Sequence, residues 1–238
     1  MSSEKFAFKQ FEVGHSRSSM KVGVDSILLG SWAATENVKK VLDVGTGCGL
    51  LALMCAQRFP EAIIQAIDID SPSINEAADN FRNSPWSERL SAKLTDFNSL
   101  NEGDYDLIIS NPPYFNSGIE EIVTNRERAR HQDSLSPERL LEKGSGILSD
   151  GGLISMIVPT EQSHHLNESA KKFGLTLSRK TIIIGRPGLK SKRVLLEFIK
   201  HKDGQEVCPI EEELILEKKI KEPTDEFLRL GKDFYLHF

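Results

Sequence analysis

The sequence predicts an α/β protein, a mostly parallel seven-stranded sheet with helices on both faces and an antiparallel hairpin at its end. Three observations lead there. Short apolar runs bounded by turn residues alternate with helical patterns, as in successive βα units. There is no internal repeat and no low-complexity segment. The last two runs, "LTLSRKTIII" and "RVLLEFIK", are joined by "GRPGLKSK". That link is too short for a helical crossover, so these two strands must be antiparallel neighbours.

The elements follow in order. "KVLDVG" (Lys40–Gly45) is the first core strand and opens through "TGCG" into the helix "LLALMCAQRF". "AIIQAID" (Ala62–Asp68) is the second, followed by a helix over Pro72–Arg82. "RLSAKL" is the third strand and "YDLIIS" the fourth. A helix over Pro137–Leu148 leads into the fifth, "GLISMIV", and a helix over Glu161–Phe173 precedes the hairpin. Ahead of the core, "FAFKQFEV" is expected to pair with "MKV" in a small hairpin, and "DSILLGSWAA" to form a short helix capped by Asp25. The chain reads as one domain: an extension over 1–37, a core over 38–202 and an acidic extension over 203–238.

Composition narrows the class. A chain of 238 residues, 39% hydrophobic and 27% charged, has the balance of an ordinary globular protein. The N-terminus "MSSEKFAFKQF" lacks the apolar stretch of a signal peptide, and no run is long enough to span a bilayer. Cys48, Cys55 and Cys208 are odd in number and form no C-x-x-C pair, which favours reduced thiols in a cytoplasm. The six histidines show no metal-ligand spacing, and no metal site is expected. The net charge of −5 is unevenly placed. From Asp203 onward there are ten acidic and five basic residues, so residues 1–202 are neutral overall. Within them, Arg179 to Arg193 holds six basic residues and no acidic one.

Gly45, Gly47 and Gly49 lie between a strand and a helix, where a backbone can approach a ligand closely. The G-x-G-x-x-G spacing of dinucleotide binders is not met, because Leu50 follows Gly49. Asp43, just before the turn, has the sign to meet an ammonium group and not a pyrophosphate. Together with the terminal hairpin, this resembles the Rossmann-like class I methyltransferases, which use S-adenosylmethionine. There Asp43 would meet the methionine amine directly or through water, or else orient the loop through its amides. Asp68, some twenty residues on, is the expected acceptor for both ribose hydroxyls. Asp70 takes that role instead if the strand ends later, and otherwise caps the next helix. Asp96 could accept from the adenine amine, with Phe97 against the ring or in the core.

The fourth strand stops at Asn111-Pro112-Pro113-Tyr114. Taken alone, "NPPY" is a strong turn. Beside a methyl donor it acquires chemistry. An exocyclic purine amine is a poor nucleophile, because its lone pair is delocalised into the ring. The Asn111 amide oxygen and the Pro112 carbonyl offer two acceptors for its N–H bonds, and both contacts strengthen as nitrogen becomes positive. Proline rings fix the geometry, and Tyr114 offers a stacking face worth roughly 1–3 kcal/mol. A glutamine side-chain amide would meet the same motif, so a glutamine N5-methyltransferase acting on a release factor is an alternative, as is an rRNA amine.

Beyond these motifs, the chain resembles the bacterial tRNA(Val) adenine N6-methyltransferases. The likeness is carried by "FKQFEVGHSRSSMKVGVDSILLGSWA", "LDVGTGCGLLALM", "SPWSERL", "DLIISNPPYF", "RERAR", "RVLLEF" and "FYLHF". It implies methylation of the adenine just 3′ of the anticodon, with tRNA as the partner and no membrane or protein partner. It also implies that Lys21 and Asp25 lie near the methionine end of the cofactor. Asp68 stands where relatives can carry glutamate, a change that keeps the acceptor. Arg186, Lys190, Lys192 and Arg193 are expected to contact RNA from the face that carries "NPPY", joined by Arg126, Arg128 and Arg130. The acidic tail is expected to lie elsewhere, since it would repel RNA.

Overall fold

The structure, a computed structural model, describes residues 5–18, 21–34, 38–113, 135–201 and 207–236. Strands β1 (Lys5–Ala7) and β2 (Glu12–Gly14) and helix α1 (Val24–Trp32) precede the core. The core runs β3 (Lys40–Val44), α2 (Leu50–Arg58), β4 (Ile63–Asp68), α3 (Ser71–Arg82), β5 (Leu90–Leu94) and β6 (Tyr105–Ser110). It continues with α4 (Pro137–Ile147), β7 (Leu148–Pro159), α5 (Ser163–Lys172), β8 (Leu175–Ile184) and β9 (Arg193–Lys200). The chain then adds β10 (Ile210–Ile215), a small ribbon of β11 (Glu217–Lys219) and β12 (Glu222–Pro223), and α6 (Asp225–Gly231).

The main sheet has the order β10-β8-β9-β7-β6-β3-β4-β5. Strands β3 to β7 pair in parallel, and β9 lies antiparallel between β7 and β8. The expected hairpin is therefore present. It differs from the expectation in one respect: β10 pairs in parallel with the outer edge of β8, making eight strands where the sequence suggested seven.

Alternation along each strand divides the core into two layers. Val41, Leu107, Ile109, Ile157 and Leu195 face the layer that holds α1 and α2. Leu42, Val44, Ile108, Ile154, Met156, Val194 and Phe198 face the layer that holds α4 and α5. Strands buried on both faces have to be apolar nearly throughout, which is why "VLDV" and "LIIS" read as they do. Asp43 and Ser110 are the polar residues buried among them.

The N-terminal expectations need two corrections. The hairpin forms within "KFAFKQFEVG", with Phe6 opposite Val13, and "MKV" takes no part in a strand among its described residues. Phe8 and Phe11, at its turn, stack at 4.6 Å, so the hairpin closes on its own aromatic pair. Helix α1 begins after Gly23 without a side-chain cap; Asp25 lies inside its first turn. The two ends of the chain meet where the amide of Lys9 donates to the Phe234 carbonyl at 2.9 Å.

Candidate active site

The segments that follow the carboxyl ends of β3 and β6 meet at one cleft, on the side where open α/β sheets place their ligands. Lys21, Ser26, Gly45, Thr46, Gly47, Cys48, Leu50, Leu51 and Asn111 line it. A larger groove lies elsewhere, between the N-terminal hairpin and the end of α3, and holds none of these residues.

The glycine loop is built for close approach. Gly47 has φ +54°, and a Cβ there would project into open space. Gly49 has φ +85°, and a Cβ there would lie 2.5 Å from the Phe81 ring, so both backbone and packing require glycine. Asp43, fully buried beneath the loop, accepts from the Thr46 hydroxyl at 2.5 Å and the Ala52 amide at 3.1 Å. Both bonds go to one carboxylate oxygen. The other, Oδ1, is buried with no hydrogen-bond partner. Burial pushes the Asp43 carboxyl up to about 7, against the two hydrogen bonds that favour its charged form. Asp43 thus orients the loop and also keeps an unused acceptor.

Asp68 ends β4 and accepts from the Gly47 and Asp70 amides, each at 2.9 Å. A carboxylate has about four acceptor sites, so two such bonds leave capacity for a ribose diol. Of the two roles the sequence offered Asp70, the cap is present. Asp70 accepts from the amide and hydroxyl of Ser73 at 3.0 and 2.6 Å and starts α3. Asp96 bonds the Asn98 amide at 2.9 Å and starts a short 3-10 turn. Phe97 is buried in the layer with Leu42 and Ile108, the core placement that the sequence left open beside a ring contact.

Asn111 follows β6 and is nearly buried. Ser110 fixes the strand end by donating to the Val44 carbonyl at 2.8 Å, and the Asn111 amide nitrogen donates to the Ser26 hydroxyl at 3.0 Å. Pro112 is buried and Pro113 exposed. Tyr114, Arg126, Arg128 and Arg130 lie outside the described residues.

Three residues that carry the site were not evident in the sequence. Ser26 is one. The others are Glu76 and Asn80 on α3. Glu76 collects the amides of Ser16, Arg17 and Ser18 at 2.7–3.0 Å. Burial alone would raise its pKa, but these backbone bonds hold it below the usual range. Asn80 bonds Gly14 through both its oxygen and its nitrogen, and also the Cys48 carbonyl at 2.8 Å. Together they clamp the N-terminal segment against the glycine loop.

The basic cluster separates into parts. Strand β8 runs parallel to β7 and β6, so the 185–192 loop leaves the sheet on the Asn111 side. Arg179 belongs to the fold: its guanidinium lies 3.8 Å from the Trp32 ring centroid and 3.2 Å from buried Glu197. Arg193 and Asp25 form an ion pair at 2.9 Å. Asp25, expected beside the cofactor, makes that pair in the ligand-free protein. Lys190 and Lys192 are exposed on the loop. The acidic tail does not lie elsewhere. Glu211 of β10 pairs with Lys180 at 3.0 Å, and Glu217 approaches Arg186 at 3.9 Å. An acidic strand is held on that edge because it pairs with a basic one.

Among the described residues, no group of three or more His, Cys, Asp or Glu side chains could hold a metal ion. No helix among them is long and apolar enough to cross a membrane.

Comparison with known proteins agrees with this geometry. The family model "Methyltransferase small domain" matches residues 17–176. A Bacteroides fragilis protein named tRNA1(Val) (adenine(37)-N6)-methyltransferase is 40% identical over 99% of both chains. A Trichodesmium erythraeum protein of the same name is 38% identical over the full length of both. A crystal structure titled as a predicted O-methyltransferase from Agrobacterium tumefaciens shares the fold with a TM-score of 0.66 at 22% identity, covering 88% of this chain and 96% of that one. P. horikoshii TYW2, crystallised in complex with MeSAdo, does so with a TM-score of 0.58 at 16% identity, covering 84% and 72%. An unused buried acceptor, a glycine facing open space and a carboxylate at the tip of β4 suit S-adenosylmethionine, the methyl donor of this enzyme class. Full-length identity near 40% settles the lineage: the chain belongs to the methyltransferase small domain family and, within it, to the family of the tRNA1(Val) (adenine(37)-N6)-methyltransferases.

Proposed function

We propose that this enzyme methylates the exocyclic N6 amine of an adenine in tRNA, adenine 37 of tRNA(Val) as in its named relatives, in the cytoplasm. The observation that carries the reading is Asn111, presented at the tip of β6 in the same cleft as the glycine loop. When bound, S-adenosylmethionine supplies an electrophilic methyl group. Asp43 and Asp68 would hold its cationic and ribose parts, with Lys21 at the rim.

The chain's own residues prepare the amine. With its nitrogen on Ser26, the Asn111 amide meets a substrate N–H through its oxygen. The Pro112 carbonyl takes the second N–H. Neither acceptor is basic enough to remove a proton at neutral pH. Their part is to orient the amine and to stabilise the positive charge that grows on nitrogen; once the methyl group has been transferred, the acidic proton of the cationic product passes to water. Tyr114 would stack on the base. An anticodon loop presents partly unstacked bases, so extruding one costs about a few kcal/mol.

The test is to incubate the protein with labelled S-adenosylmethionine and total RNA, then map the modified nucleoside. N6-methyladenine at position 37 of tRNA(Val) is expected. Label confined to rRNA, or to a protein glutamine in a parallel lysate reaction, would overturn the assignment.

A further inference from the structure

We infer that the first turn of α1 is a positioning bracket for Asn111, in which Ser26 holds the amide and Asp25 holds the bracket in place. The inference rests on the amino-methyltransferase reading above and names how its acceptor is aimed.

The argument starts from the amide itself. The terminal torsion of an asparagine is broad and roughly two-fold, so packing alone specifies the amide plane poorly. A substrate amine needs that plane fixed, because its N–H must meet the oxygen at hydrogen-bond distance and in line. The Ser26 hydroxyl, 3.0 Å from Asn111 Nδ2, supplies the fixed point. Ser26 and Asn111 line the same cleft, and their contact spans 85 residues of sequence, so it joins α1 directly to the end of β6.

A fixed point is useful only if it is itself immobile. Gly23, at the α1 N-cap, makes no side-chain cap bond, so the turn needs another anchor. Asp25 provides it. Its carboxylate sits in the first turn, where the helix dipole favours negative charge, and accepts from Arg193 Nε at 2.9 Å. Arg193 opens β9 opposite Pro159 of β7, within the sheet. Two consecutive residues therefore connect the sheet to the catalytic amide. The same ion pair ends the 185–192 loop, so the nucleic-acid face and the amide share one support.

Ser26→Ala should lower the single-turnover methylation rate by about ten- to a hundredfold, the scale of a misplaced catalytic contact. KM for tRNA and the calorimetric affinity for S-adenosylhomocysteine should stay within about twofold of wild type. Ser26→Thr, which keeps the hydroxyl, should recover most of the rate. Asp25→Asn should act through the same route, so its effect combined with Ser26→Ala should be less than the product of the two. A wild-type rate in Ser26→Ala, no recovery in Ser26→Thr, or multiplicative effects would each overturn the bracket. These outcomes are read against wild-type protein on the same tRNA. If wild type fails to methylate adenine, it is the substrate assignment that falls; if wild type is active and the variants behave otherwise than stated, the bracket alone falls.

Discussion

The backbone amide of Gly47 donates to the carboxylate of Asp68 at 2.9 Å, so the loop after β3 is fastened to the tip of β4 before any ligand arrives. One side chain thereby shapes the loop and keeps further acceptor capacity, which the proposed function assigns to a ribose diol. Asp68→Ala should weaken S-adenosylhomocysteine binding by about 1–3 kcal/mol, the cost of buried hydroxyls left without an acceptor. Asp68→Asn keeps one oxygen and should lose less. Calorimetric affinities equal to wild type in the alanine variant would remove Asp68 from the site.

The raised pKa of Asp43 gives a pH dependence with a definite sign. Its carboxyl titrates near 7 in the fold, because burial opposes its charge, against 3.8 for the group elsewhere. Below the unfolded value both states hold the proton, and its stabilising effect is complete. As pH rises toward and through 7, the unfolded chain has already released that proton while the native state resists, so stability falls. In the ligand-free protein, Asp43→Asn should flatten this slope and melt no lower than wild type at pH 8. A ligand ammonium group placed beside it favours the carboxylate. S-adenosylhomocysteine should therefore bind more tightly as pH rises through 7 and release part of a proton. Calorimetry in two buffers of different ionisation enthalpy measures that release, and none should be seen in the variant.

The sheet was legible because its strands are buried on both faces and stop at turn residues, as "VLDVG" and "LIISNPP" do. The eighth strand was not. "IEEELI" exposes its glutamates and buries Leu214, so it joins β8 through backbone bonds and the Lys180–Glu211 pair, which leave no apolar pattern. The same distinction runs through the site. Asp43, Asp68 and Asn111 were readable because strand ends locate them. Ser26 and Glu76 act through contacts that span 85 and about 60 residues of sequence, and nothing local marks them. Phe97 was ambiguous for the reverse reason: a position beside a strand end suits a ligand contact or a core aromatic equally, and its ring is buried in the core.

Asn111→Ala separates chemistry from binding. In the proposed mechanism the amide oxygen acts on charge that develops during transfer, so its loss should lower the single-turnover rate by about 10²–10³-fold. Cofactor affinity should hold within about twofold, since the contact is not a ground-state anchor. Tyr114→Ala should also weaken tRNA binding, and Tyr114→Phe should be milder. Rapid single-turnover methylation by Asn111→Ala would end its proposed role.

The electrostatics of the 185–192 loop lead to the last prediction. Of its cations, Arg186 is partly offset by Glu217 at 3.9 Å, and Arg193 is engaged with Asp25. Lys190 and Lys192 stand exposed on the face that carries Asn111, beyond a turn in which the Leu189 amide donates to the Arg186 carbonyl at 3.1 Å. Phosphate contact should therefore fall mainly on these two lysines. Reversing both to glutamate should weaken tRNA binding by about tenfold or more at low salt and reduce the slope of log affinity against log salt by about two. S-adenosylhomocysteine affinity should not change. Glu217→Gln should act in the opposite direction and slightly, because a half-exposed pair at this distance offsets little charge. Filter binding of tRNA across a salt series measures the affinity and slope of both variants, and calorimetry measures the S-adenosylhomocysteine affinity. An unchanged affinity and slope in the double lysine variant would place the nucleic-acid surface away from this loop.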